Sequence, residues 1–210
     1  LGPFVPANSL AASAMCFSWW PKYSEHKVWA VLGRQIIASV RFGRFQATQS
    51  ARRRDPKPSI HEYKKYTKRQ KDVYNSVLHV FNCAKSMLVP GTFIEDYHKE
   101  VGKIMQNELI KLKLIDSHDV KKQDAKNPIY KKYFMHGTSH FLGLDVHDVG
   151  NVKLPIENGM VFTCEPGIYI REESLGIRLE NDILVSESEP IDLMGDIPIE
   201  ANHIEEIMNS

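Results

Sequence analysis

The stretch MHGTSHFLGLDVHDVG, residues 135–150, holds three of the nine histidines of the 210-residue chain within twelve positions. Imidazole nitrogen is a common ligand of transition metals, so His136, His140 and His147 are candidate metal ligands. The spacing of His136 and His140 would put both on one face of a helix, but three glycines in the same stretch favour an irregular or extended backbone. From these residues alone, a metal site and a set of hydrogen-bonded core histidines both stay open.

Glu165 is the first of two glutamates that favour the metal interpretation. It follows the apolar run Met160–Cys164, which predicts a strand, and it precedes a Pro-Gly pair. A charge in that position is costly unless it has a partner such as a cation. Glu165 is therefore a candidate ligand rather than an ordinary surface residue.

Glu180 is the second glutamate, and it lies in the alternating stretch from Gly176 to Val185. The alternation predicts a strand whose polar face carries Arg178, Glu180 and Asp182. That face either meets water or lines a charged groove. One histidine and two glutamates on neighbouring strands would be a suitable ligand set for Mn²⁺, Zn²⁺ or Co²⁺.

Two amphipathic helices are predicted ahead of the histidine stretch. Residues Thr67 to Gln70 fit a capping box, and apolar residues recur behind it at helical spacing as far as Leu88. Residues Thr92 to Glu95 fit a second capping box, which begins a second helix of the same kind. The lysine-rich segment 117–127 is interpreted as a loop, and a last helix is predicted over 200–208.

Residues 1–60 differ from the rest of the chain in charge and in pattern. They contain nine Lys/Arg and two acidic residues, a net charge of +7, which leaves −6 for residues 61–210 of the total of +1. The arginine run 52–54 is interpreted as part of a solvated linker, because three charges are too few to indicate nucleic-acid binding. We predict that 1–60 is a basic N-terminal segment, poorly ordered and unrelated to the fold of 64–210.

Membrane, disulfide and nucleic-acid features are weak in this sequence. The apolar-rich run Leu10–Trp20 stops at Pro21, whereas a membrane span needs about 20 residues. The three cysteines, Cys16, Cys83 and Cys164, are widely spaced, which suits a reducing compartment better than a disulfide framework. These features predict a cytoplasmic protein with no membrane or nucleic-acid partner.

Three ordered motifs resemble Xaa-Pro aminopeptidase (aminopeptidase P) of the pita-bread metallopeptidase family. They are residues 135–150, Gly159 to Gly167 and Gly176 to Asp182, and the two predicted helices precede them in matching order. The resemblance covers residues 64–210, and three motifs in order are far more specific than one. It implies an α+β, partial pita-bread (creatinase/aminopeptidase) fold, in which two amphipathic helices are followed by an antiparallel sheet that carries the metal ligands. Residues 64–210 would be the C-terminal part of that catalytic domain.

The resemblance implies a metal cofactor and a reaction. His140 would bind one ion, Glu165 would bind metal and take a proton from the bridging water, and Glu180 would bridge two divalent ions. Mn²⁺ is the expected ion, with Zn²⁺ or Co²⁺ as alternatives. The implied reaction releases the N-terminal residue from peptides with proline in second position, by attack of a metal-bridging hydroxide. The partner would be that peptide, and the full-length parent could form a homo-oligomer.

The same resemblance implies four catalytic residues, Glu165 among them as the base. His136 and His147 would flank the substrate, where they would stabilise the tetrahedral intermediate or hold the proline. Arg178 would be a nearby polar anchor. Asp182 would support the ligands from behind without binding metal.

One part of the family pattern is missing. Two further aspartate ligands are expected upstream of the first helix, but the only aspartate in residues 1–66 is Asp55, in a basic, turn-like setting. Without those carboxylates, two adjacent cations would lack charge compensation. We therefore expect this chain to be weakly active or an inactive fragment. The alternatives are a prolidase (Xaa-Pro dipeptidase) and a non-catalytic pita-bread remnant that binds a peptide or a protein.

Overall fold

The computed structural model describes residues 26–32, 35–42 and 64–210. The first two ranges are strands β1 (His26–Leu32) and β2 (Gln35–Phe42), which pair in antiparallel fashion. The backbone of β2 lies beside residues 175–178. The division of the chain near residue 60 stays a prediction, and the predictions for the arginine run 52–54 and for Asp55 lie outside the described residues.

Helix α1 (Lys68–Ser86) begins at the first predicted capping box, which is confirmed. The Thr67 hydroxyl accepts from the Gln70 amide at 3.2 Å, and the Gln70 side chain accepts from the Thr67 amide at 2.8 Å. Two of the backbone donors that a helix start leaves unpaired are thereby satisfied.

Helix α2 (Ile94–Lys111) does not begin at the second predicted capping box, so that prediction is wrong. Its N-cap is Phe93, which makes no side-chain capping bond. The Thr92 hydroxyl instead donates to the Met87 carbonyl at 3.2 Å, because the tight connection brings Thr92 back onto the end of α1. Two acidic residues in the first turn, Glu95 and Asp96, supply favourable charge at the helix N-terminus.

The two helices bury their apolar stripes against each other and against the strands that follow. One continuous core results, in which buried side chains of both helices meet those of the sheet. Its largest fully buried members are Tyr74, Tyr97, Phe81, Phe162, Leu88, Met105, Leu109, Ile168, Ile170, Ile177, Leu179 and Ile183.

The C-terminal part contains five short strands: β3 (Val161–Cys164), β4 (Gly167–Ile170), β5 (Leu175–Arg178), β6 (Asn181–Leu184) and β7 (Ile191–Asp192). β3 pairs with β6, β6 with β7, and β4 with β5, all antiparallel.

The β3–β6 and β4–β5 ladders share one register and are two halves of a single long hairpin with a break in the middle. The break contains Glu165 and Pro166 on one side and Leu179 and Glu180 on the other. Pro166 has no N–H to donate, and residues of this kind interrupt a ladder. The Leu179 amide still donates to the Pro166 carbonyl at 3.2 Å, so the two halves stay aligned. We refer to this unit, β3 to β6, as the broken hairpin.

Two shorter α-helices follow α2 in the described chain. The segment interpreted as a loop over 117–127 contains a short helix, α3 (Ser117–Lys122), so the prediction was wrong for its first half. The Asp116 carboxylate caps it by accepting from the His118 amide at 2.7 Å. The predicted last helix is confirmed as α4 (Ala201–Asn209). None of the helices in the described ranges combines the length and apolar character that a bilayer crossing requires.

Candidate metal centre

Three of the predicted ligands converge at the break in the hairpin. His140, Glu165 and Glu180 each offer one ligand atom, and these atoms lie within 4.8 Å of one another. All three side chains are half-buried. The break supplies the two glutamates, and the irregular segment before Phe141 supplies the histidine, held to β3 by a bridge between Phe141 and Phe162.

The shared register places Glu165 directly opposite Glu180 across the hairpin. Facing like charges destabilise a strand pair unless a cation lies between them. Arg178 partly supplies that charge: its Nη2 atom is 2.9 Å from Glu180 Oε2, and its Nη1 atom is 3.6 Å from Glu165 Oε2. Burial and the neighbouring Glu180 nonetheless raise the pKa of Glu165 to about 7. In the absence of metal, the site therefore favours a proton on Glu165.

His140 is oriented as a metal-binding histidine should be. Its Nδ1 atom lies 2.9 Å from the Phe141 carbonyl oxygen, which can only accept, so Nδ1 carries the proton. The Nε2 lone pair then points toward Glu165, whose Oε1 atom is 3.5 Å away. Metal-binding histidines commonly donate their other N–H to a backbone carbonyl in this manner. The donor set of one imidazole and two carboxylates suits a borderline divalent ion.

The described residues supply one such cluster. Within 26–32, 35–42 and 64–210, no second group of three ligand-type side chains is close enough to share an ion. His140, Glu165 and Glu180 fit one divalent ion, and the two additional aspartates that a second ion would require are not among the described residues. The metal-binding roles of these three residues, and the lack of the two aspartates, stay predictions.

His136 lies beside the cluster rather than in it. Its Nδ1 atom donates to the Gly137 carbonyl at 2.7 Å, which leaves Nε2 to accept from the Tyr169 hydroxyl at 2.9 Å. Tyr169 also hydrogen-bonds Arg178. Burial lowers the pKa of His136, so the ring is neutral near pH 7. His136, Tyr169 and Arg178 thus form one hydrogen-bonded chain along the edge of the ligand cluster.

Tyr169 was missed by the sequence reasoning although a signal was available. It lies two positions after Gly167 and four after Glu165, and side chains that differ by an even number along a strand face the same side. A polar tip on an otherwise apolar strand, in phase with a candidate ligand, predicts proximity to that ligand.

His147 stacks on His140, with 4.0 Å between ring centroids and 29° between ring planes. Partial burial and the adjacent His140 lower the pKa of His147. It is exposed and lies outside the ligand cluster. The substrate-side role expected of His147 stays a prediction.

The polar face of the strand predicted over 176–185 lines the site instead of meeting bulk water. The Arg178 and Glu180 side chains are only 24% and 28% exposed, and Asp182 is half-buried. Burial, followed by the nearby Glu180, raises the pKa of Asp182. This face is therefore partly withdrawn from water, while the charged groove and the individual catalytic roles of these residues stay predictions.

The fold and this cluster define a class of protein. Residues 60–187 match the family model described as metallopeptidase family M24, and the chain belongs to that family. The partial pita-bread fold expected from the sequence is confirmed by solved structures of aminopeptidase P from Escherichia coli. One of these, zinc-substituted and in complex with product, and another, with the inhibitor Pro-Leu, each give a TM-score of 0.61 at 35% identity. Each match covers 70% of this chain and 36% of the other.

Among curated relatives, the chain is similar to Xaa-Pro aminopeptidases. It is 36% identical over 156 residues to that of Escherichia coli, a match covering 69% of this chain and 35% of the relative. It is 36% identical over 154 residues to Xaa-Pro aminopeptidase 3 of Homo sapiens, covering 68% and 30% respectively. The chain thus spans about a third of the length of the curated relatives it matches.

Proposed function

We propose that this chain carries part of the active site of an Xaa-Pro aminopeptidase, which releases the N-terminal residue from peptides with proline in second position. The observation that carries the proposal is the convergence of His140, Glu165 and Glu180 at the break in the hairpin. The names of the relatives support aminopeptidase over prolidase as the activity. We also propose that the protein acts in the cytoplasm, on the grounds of its cysteine content.

A divalent ion held by these three residues is part of the proposal, and Mn²⁺ is the first candidate. When bound, such an ion would polarise the scissile carbonyl and lower the pKa of a coordinated water. The zinc in one solved aminopeptidase P indicates that the family site accepts more than one metal. The two-ion, hydroxide-bridged arrangement needs two further carboxylate ligands, and it is proposed only if such ligands are supplied.

The chain's own residues would handle protons and orientation around the ion. Glu165, beside the ion, would act as the general base that takes the proton of the coordinated water. Arg178 holds Glu180 at 2.9 Å and keeps that carboxylate directed at the site. His136 is fixed by Gly137 and Tyr169, so its ring would present a defined edge to a bound substrate. His147, which stacks on His140, would contact the residues around the scissile bond.

The direct test is hydrolysis of an Xaa-Pro peptide by the purified chain with Mn²⁺, read as release of the free N-terminal amino acid. Glu180→Gln is the matched control, because it keeps the shape of the side chain and removes one metal-binding charge. Release that requires Mn²⁺ and is lost in the variant would support the proposal. Release equal in both proteins, or in the presence of a chelator, would contradict it.

A second candidate function is a non-catalytic module that binds peptides. The lack of the two aspartates favours it, because the polar side chains of His136, Tyr169 and Arg178 could bind a peptide that no second metal ion helps to hydrolyse. Saturable binding of an Xaa-Pro peptide, with no product formed at any Mn²⁺ concentration, would favour this candidate over the enzyme.

A further inference from the structure

Two consecutive residues of α2, Tyr97 and His98, contact the segment that separates His136 from His140. The Ser139 hydroxyl donates to the Tyr97 hydroxyl oxygen at 2.9 Å. The Thr138 amide donates to His98 Nδ1 at 3.2 Å. Because α2 is a packed core helix, it offers this irregular segment a fixed support that the segment's own backbone does not provide.

The contact between His98 and Thr138 determines the tautomer of the His98 ring. An N–H donor can be accepted only by an unprotonated ring nitrogen, so the contact fixes His98 as the tautomer protonated on Nε2. The ring is half-buried, and burial lowers its pKa, which keeps it neutral near pH 7. The ring also lies against the Gly137 backbone, where an added Cβ atom would approach His98 Cε1 to 3.3 Å.

The Thr138 carbonyl makes a second contact, to the backbone of the candidate ligand Glu165. This carbonyl accepts from the Glu165 amide at 2.7 Å, while the Thr138 side chain is 1% exposed. The Thr138 peptide units therefore connect His98 on one side to a ligand-bearing residue on the other. A shift of this segment would move His136, His140 and the Glu165 backbone together.

We propose that His98 is a positioning residue for the metal centre, acting through the Thr138 amide to hold His140 and Glu165 at ligand distance. It touches neither metal nor substrate, so it is not a catalytic residue. The proposal deepens the proposed function and rests on it wherever metal affinity is the quantity measured. Residues that support ligands in this way typically change metal affinity by about 10–100-fold when they are replaced.

The experiment compares His98→Leu, which has no acceptor, with His98→Asn, whose Oδ1 atom can take the place of Nδ1. We measure the Mn²⁺ dissociation constant by titration calorimetry and the hydrogen exchange of the Thr138 amide by NMR. In His98→Leu we expect Mn²⁺ affinity to fall by about tenfold and Thr138 exchange to accelerate. His98→Asn should recover most of both effects.

Met105→Ala is the control for a merely structural effect. Met105 is fully buried on the same helix, about two turns beyond His98, so its truncation lowers stability and leaves the hydrogen bond between His98 and the Thr138 amide in place. The proposal requires that this variant, while folded, keeps wild-type Mn²⁺ affinity. Equal losses of affinity in His98→Leu and Met105→Ala would overturn it, as would wild-type affinity in folded His98→Leu.

A third measurement separates failure of this inference from failure of the proposed function. If the wild-type chain binds no Mn²⁺, the proposed function fails, and the inference is decided by the Thr138 amide alone. A scalar coupling between Thr138 N and His98 Nδ1 in ¹⁵N-labelled protein, together with slow exchange that only His98→Leu loses, would support the positioning contact. Absence of the coupling with unchanged exchange in His98→Leu would overturn it.

Discussion

The helix pair α1–α2 and the broken hairpin share one core but differ in what they bury. The helices bury apolar stripes, and the one carboxylate they bury, Glu108, is paired with Lys111 at the exposed end of α2. The hairpin buries Ile168, Ile177 and Ile183 on one side and holds partly buried Glu165 and Glu180 on the other. The helix pair is therefore a source of stability, whereas the hairpin gives up stability to hold charge.

This difference has a physical consequence for the metal-free protein. Apolar burial is nearly independent of pH, whereas facing carboxylates become more costly as both ionise. The stability contributed by the helix pair should therefore depend on its apolar side chains and not on pH or divalent ions. The stability contributed by the hairpin should depend on both pH and divalent ions. Each of the following experiments tests one side of that contrast.

The largest effect is expected in the helix pair. Phe81 in α1 is 1% exposed, and Phe81→Ala should lower the free energy of unfolding by about 4 kcal/mol through lost burial and a residual cavity. Denaturant unfolding at pH 5 and pH 8 measures it. The loss should be the same at both pH values, and a loss confined to one of them would show that the helix pair and the charged site are not separate.

A smaller, pH-dependent effect is expected in the hairpin. The folded pKa of Glu165 is raised from 4.5 to about 7, so the folded state binds its proton more tightly than the unfolded state. Protonated Glu165 therefore contributes to the free energy of unfolding. This contribution is fully present below about pH 4.5 and is lost as pH rises through 7. The loss is at most about 3 kcal/mol in the metal-free chain.

Glu165→Gln should abolish this loss of stability between pH 4.5 and pH 8. His98 and His136, whose lowered pKa values give the opposite trend at acid pH, are present in both proteins and cancel in the comparison. The measurement is the free energy of unfolding in chelator across pH 4.5–8. If the free energy of unfolding changes with pH in the same way in both proteins, the raised pKa of Glu165 is not the cause of the pH dependence.

Addition of Mn²⁺ should stabilise the hairpin side alone. At a free concentration 100 times the dissociation constant, an ion that binds only the folded state adds about 2.7 kcal/mol. The shift in melting temperature between Mn²⁺ and chelator measures it, and Phe81→Ala should show the same shift as wild type. Glu180→Gln should show little or none, and a full shift in that variant would place the ion elsewhere.

The smallest effects compare two threonines of the helix pair. Thr67→Ala removes a confirmed N-cap and should cost about 1 kcal/mol. Thr92→Ala removes only the bond to the Met87 carbonyl and should cost about 0.5 kcal/mol. Chemical denaturation of the two variants in parallel is the test. Equal losses would mean that both threonines act as caps after all.

The sequence predicted these two regions unequally well. The α1 start was predictable because a capping box and an apolar stripe are local patterns. The Thr92 prediction failed because the same local pattern lost to a contact with the end of the preceding helix. For the site, the motifs identified His140, Glu165 and Glu180, since their residue types and their place between strands are visible in the chain.

Other parts of the site depend on contacts distant in sequence. His98 lies about forty positions before Thr138, and no periodicity links a half-buried histidine of a helix to one backbone amide. The pairing of Arg178 with both glutamates could be anticipated only in part. Its spacing from Glu180 puts them on one face, whereas its approach to Glu165 needs the register of the hairpin.

The turn that closes the hairpin determines which residues meet at its break. Residues Arg171–Ser174 connect β4 to β5, with Ser174 in a left-handed conformation at φ 50°. Deleting one of them would slide β5 and β6 by one position, which turns a strand's inward side chains outward. Glu165 would then no longer face Glu180, although the deletion lies roughly 20 Å away, beyond the far end of β4. The length of this surface turn therefore determines which side chains can bind the same metal ion.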